Sequence, residues 1–242
     1  NHPTYKEAVT FSINESDVVT SVSESLKQDT LRLFNVDKDI KVIPNFIDLK
    51  KPNKIIPCKR SVMAKPNELI VTHISNFRKV KRVDDVVRVF YGIQQQLPAK
   101  LIMVGDGPER ETADQLCKDL GIKSKVLFLG NTSDIDRILC MSDLFLLPSA
   151  SESFGLSALE AMAAGVPVVS SNAGGLSEVN EEGVSGYLCP IGDVATMAAR
   201  AIYILEDATR LAQFKKGARK VAERFDENKI IPMYEALYKE LT

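Results

Sequence analysis

Residues 148–165 read Pro-Ser-Ala-Ser-Glu-Ser-Phe-Gly-Leu-Ser-Ala-Leu-Glu-Ala-Met-Ala-Ala-Gly. The run in front of them, Leu144-Phe-Leu-Leu147, is too short for a globular helix and long enough for a buried strand, which Pro148 ends. Beyond the loop, Ser157 followed by Glu160 matches a capping box, residues 158–164 are mostly strong helix formers, and Gly165 with Pro167 supplies the stop. The stretch therefore predicts a strand, a loop and a short helix whose N-terminus faces the strand's exit. That geometry puts the backbone N–H groups of Phe154, Gly155 and Leu156 at the positive end of a helix, with Gly155 allowing a ligand to come close, and so suits an anion. Glu152 and Glu160 flank the turn, and carboxylates accept from sugar or ribose hydroxyls without needing a metal. A plainer reading fits the same residues, with Glu160 in the first helical turn completing the cap of Ser157 and Glu152 a solvated loop charge.

Working outward, strand and helix patterns alternate from Glu68 onward. Strands are expected over 69–74, 100–104, 126–129, 144–147, 167–170 and 186–189. Helices are expected between them over 83–96, 109–120, 134–141, 157–164 and 176–180. Six strands in such alternation imply a parallel, doubly wound α/β sheet. Three helical stretches follow, 195–206, 209–224 and 227–241, the last with Pro232 inside it and an apolar stripe through Ile230, Ile231, Tyr234, Leu237, Tyr238 and Leu241 that needs a cover. That cover is either its own domain or the segment 1–50. The latter reads as fragments of another α/β layer, with strands near 17–23 and 41–43 and a helix from Ser23 to about Phe34. Residues 48–67, rich in Lys, Pro and Asn, read as a linker.

Composition narrows the function. Apolar residues at 45% and charged residues at 26% are those of a globular chain. Lys+Arg 31 against Asp+Glu 32 leaves no basic field for nucleic acid. Residues 1–20 lack a signal pattern and no apolar run approaches the length of a membrane span, so a cytoplasmic location is expected. Cys58, Cys117, Cys140 and Cys189 form no C-x-x-C pair and read as reduced thiols, and with only His2 and His73 no zinc set of usual spacing assembles. His73, inside a strand pattern, also makes a Ser-His-Asp hydrolase hard to build.

Two further stretches carry chemistry. Asn76-Phe-Arg-Lys-Val-Lys-Arg82 follows the first regular strand, at the sheet edge where open α/β folds bind ligands, and a pyrophosphate there would want Arg78 with a nearby lysine. A solvated basic loop is the alternative. Val104-Gly-Asp-Gly-Pro-Glu-Arg110 fails as a dinucleotide fingerprint, because Arg110 stands where the third glycine belongs, and reads as a tight turn. Asn172-Ala-Gly-Gly-Leu-Ser-Glu178 is a second glycine-rich turn before a helix.

Taken in order, the basic loop, the G-D-G-P-E turn, the E-x7-E pair Glu152 and Glu160, and the G-G-x-x-E turn resemble retaining GT-B glycosyltransferases of family 4 over residues 68–241. Residues 12–23, 45–48 and 73–84 are similar to the branch that makes GlcNAc-malate for bacillithiol synthesis. The resemblance implies a GT-B type, Rossmann-like donor domain at 68–225, a crossover helix at 226–242, the linker at 48–67, and at 1–47 an incomplete remnant of the N-terminal acceptor domain. It implies UDP-GlcNAc as donor and L-malate as acceptor, with no metal or other cofactor. By position, Arg78 and Lys81 bind the diphosphate, with Arg82 an alternative to Lys81, and Glu152 holds sugar hydroxyls. Ser153 and the amides of Phe154, Gly155 and Leu156 meet sugar and phosphate, Glu160 takes the ribose, and backbone near Gly130 and Asn131 takes uracil. Another UDP-sugar or acceptor, or a noncatalytic nucleotide-sugar-binding module, are the competing expectations. With the acceptor half absent, the chain is expected to bind donor without transfer, and its Tyr234, Leu237 and Tyr238 stripe to self-associate.

Overall fold

The computed structural model describes residues 3–49 and 59–241. Six parallel strands form the main sheet: β3 (Leu69–Ile74), β4 (Ala99–Val104), β5 (Val126–Gly130), β6 (Leu144–Leu147), β7 (Val168–Ser171) and β8 (Gly186–Cys189), in spatial order β5-β4-β3-β6-β7-β8. The chain thus builds outward from β3 to β5, returns to lay β6 beside β3, and builds outward the other way. The order reverses between β3 and β6. Such a topological switch opens a crevice at the carboxyl ends of the strands.

Both faces of the sheet are covered, which is why its strands read as apolar runs rather than alternating ones. Val71, Leu101, Met103, Leu144 and Leu146 pack on one side against α3 (Val83–Gln94), α4 (Arg110–Asp119) and α8 (Val194–Leu205). On the other side Phe145, Leu147 and Val168 meet α6 (Leu156–Ala163), α7 (Leu176–Val179) and α9 (Ala208–Ala222). Ile70, Ile102 and Val104 meet α5 (Ile135–Met141) there too. Each such fully buried aliphatic side chain stabilises the fold by about 1.5–3 kcal/mol. Asp143, 5% exposed, fastens this layer: its carboxylate accepts from Arg60, from Lys215 of α9 at 2.9 Å and from the Ile70 amide at 2.9 Å. Arg60 begins a short 3-10 turn, Arg60–Val62, in the stretch read as a linker, whose residues 50–58 lie outside the described residues.

The N-terminal segment is a smaller unit of α1 (Pro3–Asn14), β1 (Val19–Ser21), α2 (Glu24–Leu33) and β2 (Ile40–Val42), with β1 and β2 paired in parallel. Across it lies α10 (Glu227–Lys239), burying Ile230 and Leu237 with Ile43 and leaving Tyr234 partly covered. The Ile47 amide bonds the Phe225 carbonyl at 2.9 Å and the Glu227 amide bonds the Ile47 carbonyl at 3.1 Å, fixing where the helix crosses. The stripe expected to lack a partner is therefore covered at Leu237 by the residue 1–47 unit, while Tyr238 and Leu241 stay exposed, at 64% and 50%.

Two further expectations are corrected, and one helix stands where none was expected. The α6 N-cap is Gly155 at φ 96°, not Ser157, and no side chain caps the helix, so Glu160 falls in the second turn and completes no capping box. The added helix is α1, which Pro3 opens at a position proline favours. Cys117 and Cys189 are free and buried, burial raising both thiols to about 11, whereas Cys140 at the exposed end of α5 is disulfide-bonded rather than reduced. Cys58 lies outside the described residues.

Candidate functional site

Because every strand of the main sheet runs the same way, the loops after β3, β4, β5, β6 and β7 leave from one edge, and all the residues singled out above leave with them. The loop after β3 is anchored by Phe77, which is fully buried, stacks on His73 at 6.1 Å and meets Phe128 edge-on at 6.3 Å. The Phe77 amide bonds the Asp106 carbonyl and the Phe77 carbonyl takes the Glu109 amide, both at 2.9 Å. The G-D-G-P-E turn thus braces the basic loop. Gly107 is needed there because a Cβ at φ 154° would stand 2.7 Å from the Phe77 carbonyl oxygen.

Beneath the loop, His73 is fully buried, with Nδ1 2.8 Å from the Leu146 carbonyl and Nε2 2.8 Å from the Ser75 hydroxyl. A carbonyl only accepts, so Nδ1 carries the proton and Nε2 accepts from Ser75. Burial, with the Lys81 charge nearby and against the Leu146 bond, lowers its pKa to about 4. The imidazole is neutral at physiological pH and serves as scaffold.

Arg78 is exposed and, among the described residues, has no ion-pair partner. Lys81 turns inward to the Glu152 carboxylate at 2.6 Å, the two side chains being 20% and 11% exposed. Glu152 Oε1 also accepts from the Ser149 hydroxyl at 2.8 Å. The Ala150 amide bonds the Val80 carbonyl at 2.8 Å, tying the β3 and β6 loops together where the strand order reverses. Arg82 goes elsewhere: its Nε bonds the buried Asp85 at 2.5 Å, at the start of α3. Of the two cations weighed from the sequence, Lys81 is the one at the crevice.

Phe154 is buried edge-on to Phe225 at 5.5 Å, Ser153 and Leu156 are exposed, and Glu160 is half-buried. A Cβ at Gly155, where φ is 96°, would strike Leu176 Cδ2 at 2.5 Å, so the glycine serves the positive φ and the packing of α7. No side chain caps the start of α6, so its first amides form the positive end of the helix without a side-chain partner. Gly130 and Asn131 end β5, two strand spacings or roughly 10 Å across the sheet from β3. The Gly130 carbonyl is taken by the Gly105 amide at 2.9 Å. Among the described residues, no group of three His, Cys, Asp or Glu is placed to hold a metal ion.

Parallel order and the switch point between β3 and β6 define a doubly wound α/β protein, and the comparisons give it a family. The chain belongs to the glycosyl transferases group 1 family, whose model matches residues 58–221, while the model for glycosyltransferase family 4 matches residues 1–51. It is 45% identical, over 98% of its length, to N-acetyl-alpha-D-glucosaminyl L-malate synthase of Bacillus anthracis, and spans 63% of that relative. Among solved structures it superposes on Anabaena HepE in complex with UDP and glucose with TM-score 0.89 at 27% identity, covering 99% of this chain and 68% of that one. Sucrose-phosphate synthase of Thermosynechococcus elongatus gives TM-score 0.90 at 23% identity, covering 100% and 62%, a likeness of fold. The fold is of the GT-B type. Among the described residues no helix is long and apolar enough to cross a membrane.

What the sequence did not reveal at the site are the long-range supports. The bonds of His73 to the Leu146 carbonyl and of Lys81 to Glu152 join residues more than 70 apart, and strand order sets them.

Proposed function

We propose that the chain is the donor-binding part of a retaining glycosyltransferase that moves GlcNAc from UDP-GlcNAc to L-malate in bacillithiol synthesis. The observation that carries this reading is the Lys81–Glu152 pair at the switch point, a cation for phosphate and a carboxylate for hydroxyls in one place. The name of the Bacillus anthracis relative supports the particular donor and acceptor. In this reading Arg78 and Lys81 neutralise the diphosphate, with no other cofactor entering. Ser153 and the amides of Phe154, Gly155 and Leu156 line the sugar and phosphate, Glu160 accepts from the ribose, and backbone at Gly130 and Asn131 meets uracil. During transfer the bond from the sugar C1 to the diphosphate breaks and a bond to the acceptor hydroxyl oxygen forms on the same face. The acceptor's proton leaves with a phosphate oxygen. Arg78 and Lys81 stabilise the charge that builds on the departing diphosphate, while Glu152 orients the donor and is not the base. Residues 1–47 belong, in this reading, to the acceptor-side domain.

Titration calorimetry tests the separation of roles. Glu160→Ala weakens UDP binding by about 1.5–3 kcal/mol, the range for a hydrogen bond to a charged group. Glu152→Ala spares UDP, since it also releases Lys81, and weakens UDP-GlcNAc. Equal losses of UDP affinity in the two variants contradict the assignment.

A further inference from the structure

The first N–H groups of a helix have no partner within it, and those of α2 are met from two directions. Leu26 donates to the Ser23 hydroxyl at 3.0 Å. Glu24 and Ser25 donate to the two carboxylate oxygens of Glu178, at 2.9 and 2.8 Å. Glu178 lies on α7, 153 residues from Ser25, so the main-sheet unit caps a helix of the N-terminal unit. One anionic oxygen per amide at a helix N-terminus is the charge-assisted arrangement the dipole favours. Both oxygens of the Glu178 carboxylate are engaged in this way.

What the cap fixes is the place of Ser23. Its hydroxyl, 1% exposed, donates to the Ser153 carbonyl at 2.6 Å. The preceding carbonyl, that of Glu152, takes the Gly175 amide at 2.9 Å, from the turn that leads into α7. Both peptide carbonyls around Glu152 and Ser153 are thus held by one assembly that Glu178 closes, while Lys81 and Ser149 hold the Glu152 side chain.

We propose that Glu178, acting through Ser23, is a positioning residue that sets Glu152 and Ser153 for the sugar portion of the donor. The proposal rests on the reading of Glu152 as the sugar-binding carboxylate. It predicts a selective effect: the nucleotide, held by Arg78, Lys81 and Glu160, is indifferent to Glu178, whereas the added affinity contributed by the sugar depends on it.

The test is calorimetry of UDP and of UDP-GlcNAc on the 242-residue chain, with the ratio of the two affinities as readout and a melting curve for each variant. Glu178→Gln keeps the side chain's shape but turns an NH2 toward a backbone N–H. It lowers the ratio about tenfold, the loss of one charge-assisted bond, with UDP affinity unchanged. Ser23→Ala does the same and Ser23→Thr restores the ratio. Combining Glu178→Gln with Ser23→Ala costs no more than the worse single change, because both act through one path. A fall in UDP and UDP-GlcNAc affinity together, or a ratio that does not move, overturns the proposal. Glu152→Gln separates the two levels. If it abolishes the sugar's contribution while Glu178→Gln does not, the positioning role alone is wrong; if it leaves the contribution intact, or the unaltered chain shows none, the reading of the site and the proposal fall together.

Discussion

Arg82 has φ 49°, a left-handed backbone found at no other non-glycine residue among those described. The strain, about 1–2 kcal/mol for a residue with a Cβ, turns its side chain onto Asp85 and away from the crevice, and Lys81 is left to face Glu152. Arg82→Gly relieves the strain but leaves the buried Asp85 carboxylate without its cation, which outweighs the relief. The expected outcome is a lowered melting temperature with UDP affinity unchanged, whereas Lys81→Ala lowers UDP affinity. Calorimetry on the two variants checks it. His73 gives the residue scale its pH signature. Unfolded, it takes up a proton near pH 6.5, while in the folded chain it resists until about pH 4. Between those values the unfolded state binds more protons, so stability falls as pH is lowered through the window and levels off below it. From pH 7 to pH 5 the loss is about 2 kcal/mol. The carboxylates whose pKa values are depressed, Glu68, Asp114, Asp143 and Asp193, add their losses only below this range. Urea midpoints at the two pH values, repeated with His73→Gln, test it: the variant is expected to show little of the pH 7 to 5 slope.

At the scale of elements, β3, β6 and the helices between them follow from runs such as Leu69–Ile74 and Leu144–Leu147, because a strand covered on both faces has to be apolar throughout. The loop chemistry was legible for the same reason: parallel strands send Arg78, Lys81, Glu152 and Gly155 to one edge. Less was legible where an end of a helix is finished by something distant. Ser157 and Glu160 have the spacing of a capping box, yet Gly155 begins α6, because its positive φ and its contact with Leu176 decide the turn. α2 is capped partly by Glu178, and no local pattern announces a partner 153 residues away. Asp143 is hidden in the same way, bringing together Arg60, Ile70 and Lys215 from three parts of the chain. Burial raises its carboxyl's pKa, but the Arg60 and Lys215 charges outweigh that and hold it below the ordinary value. Asp143→Ala strands both cations and an amide, and is expected to destabilise the chain by about 3 kcal/mol, read as a lowered urea midpoint with an unchanged slope.

For the molecule as a whole, two parallel layers are joined by α10 over Ile43 and by the Ser23 and Glu178 contacts at the edge of the crevice. The unit of residues 1–47 is thus seated on the six-stranded unit rather than trailing from it. The central claim is that a nucleoside diphosphate sugar binds where the strand order reverses, between β3 and β6. A cavity of about 480 Å³ on the β5 side, lined by Met63, Leu129, Arg137, Ile138 and Met141, offers a competing place. A crystal structure of the chain with UDP-GlcNAc decides between them. The account predicts the diphosphate beside Arg78 and Lys81 at the start of α6, with the sugar hydroxyls on Glu152 and its ion pair to Lys81 opened or shared with the phosphate. Nucleotide density in the Met63 cavity, or a diphosphate with no contact to Lys81 or to the α6 amides, contradicts it.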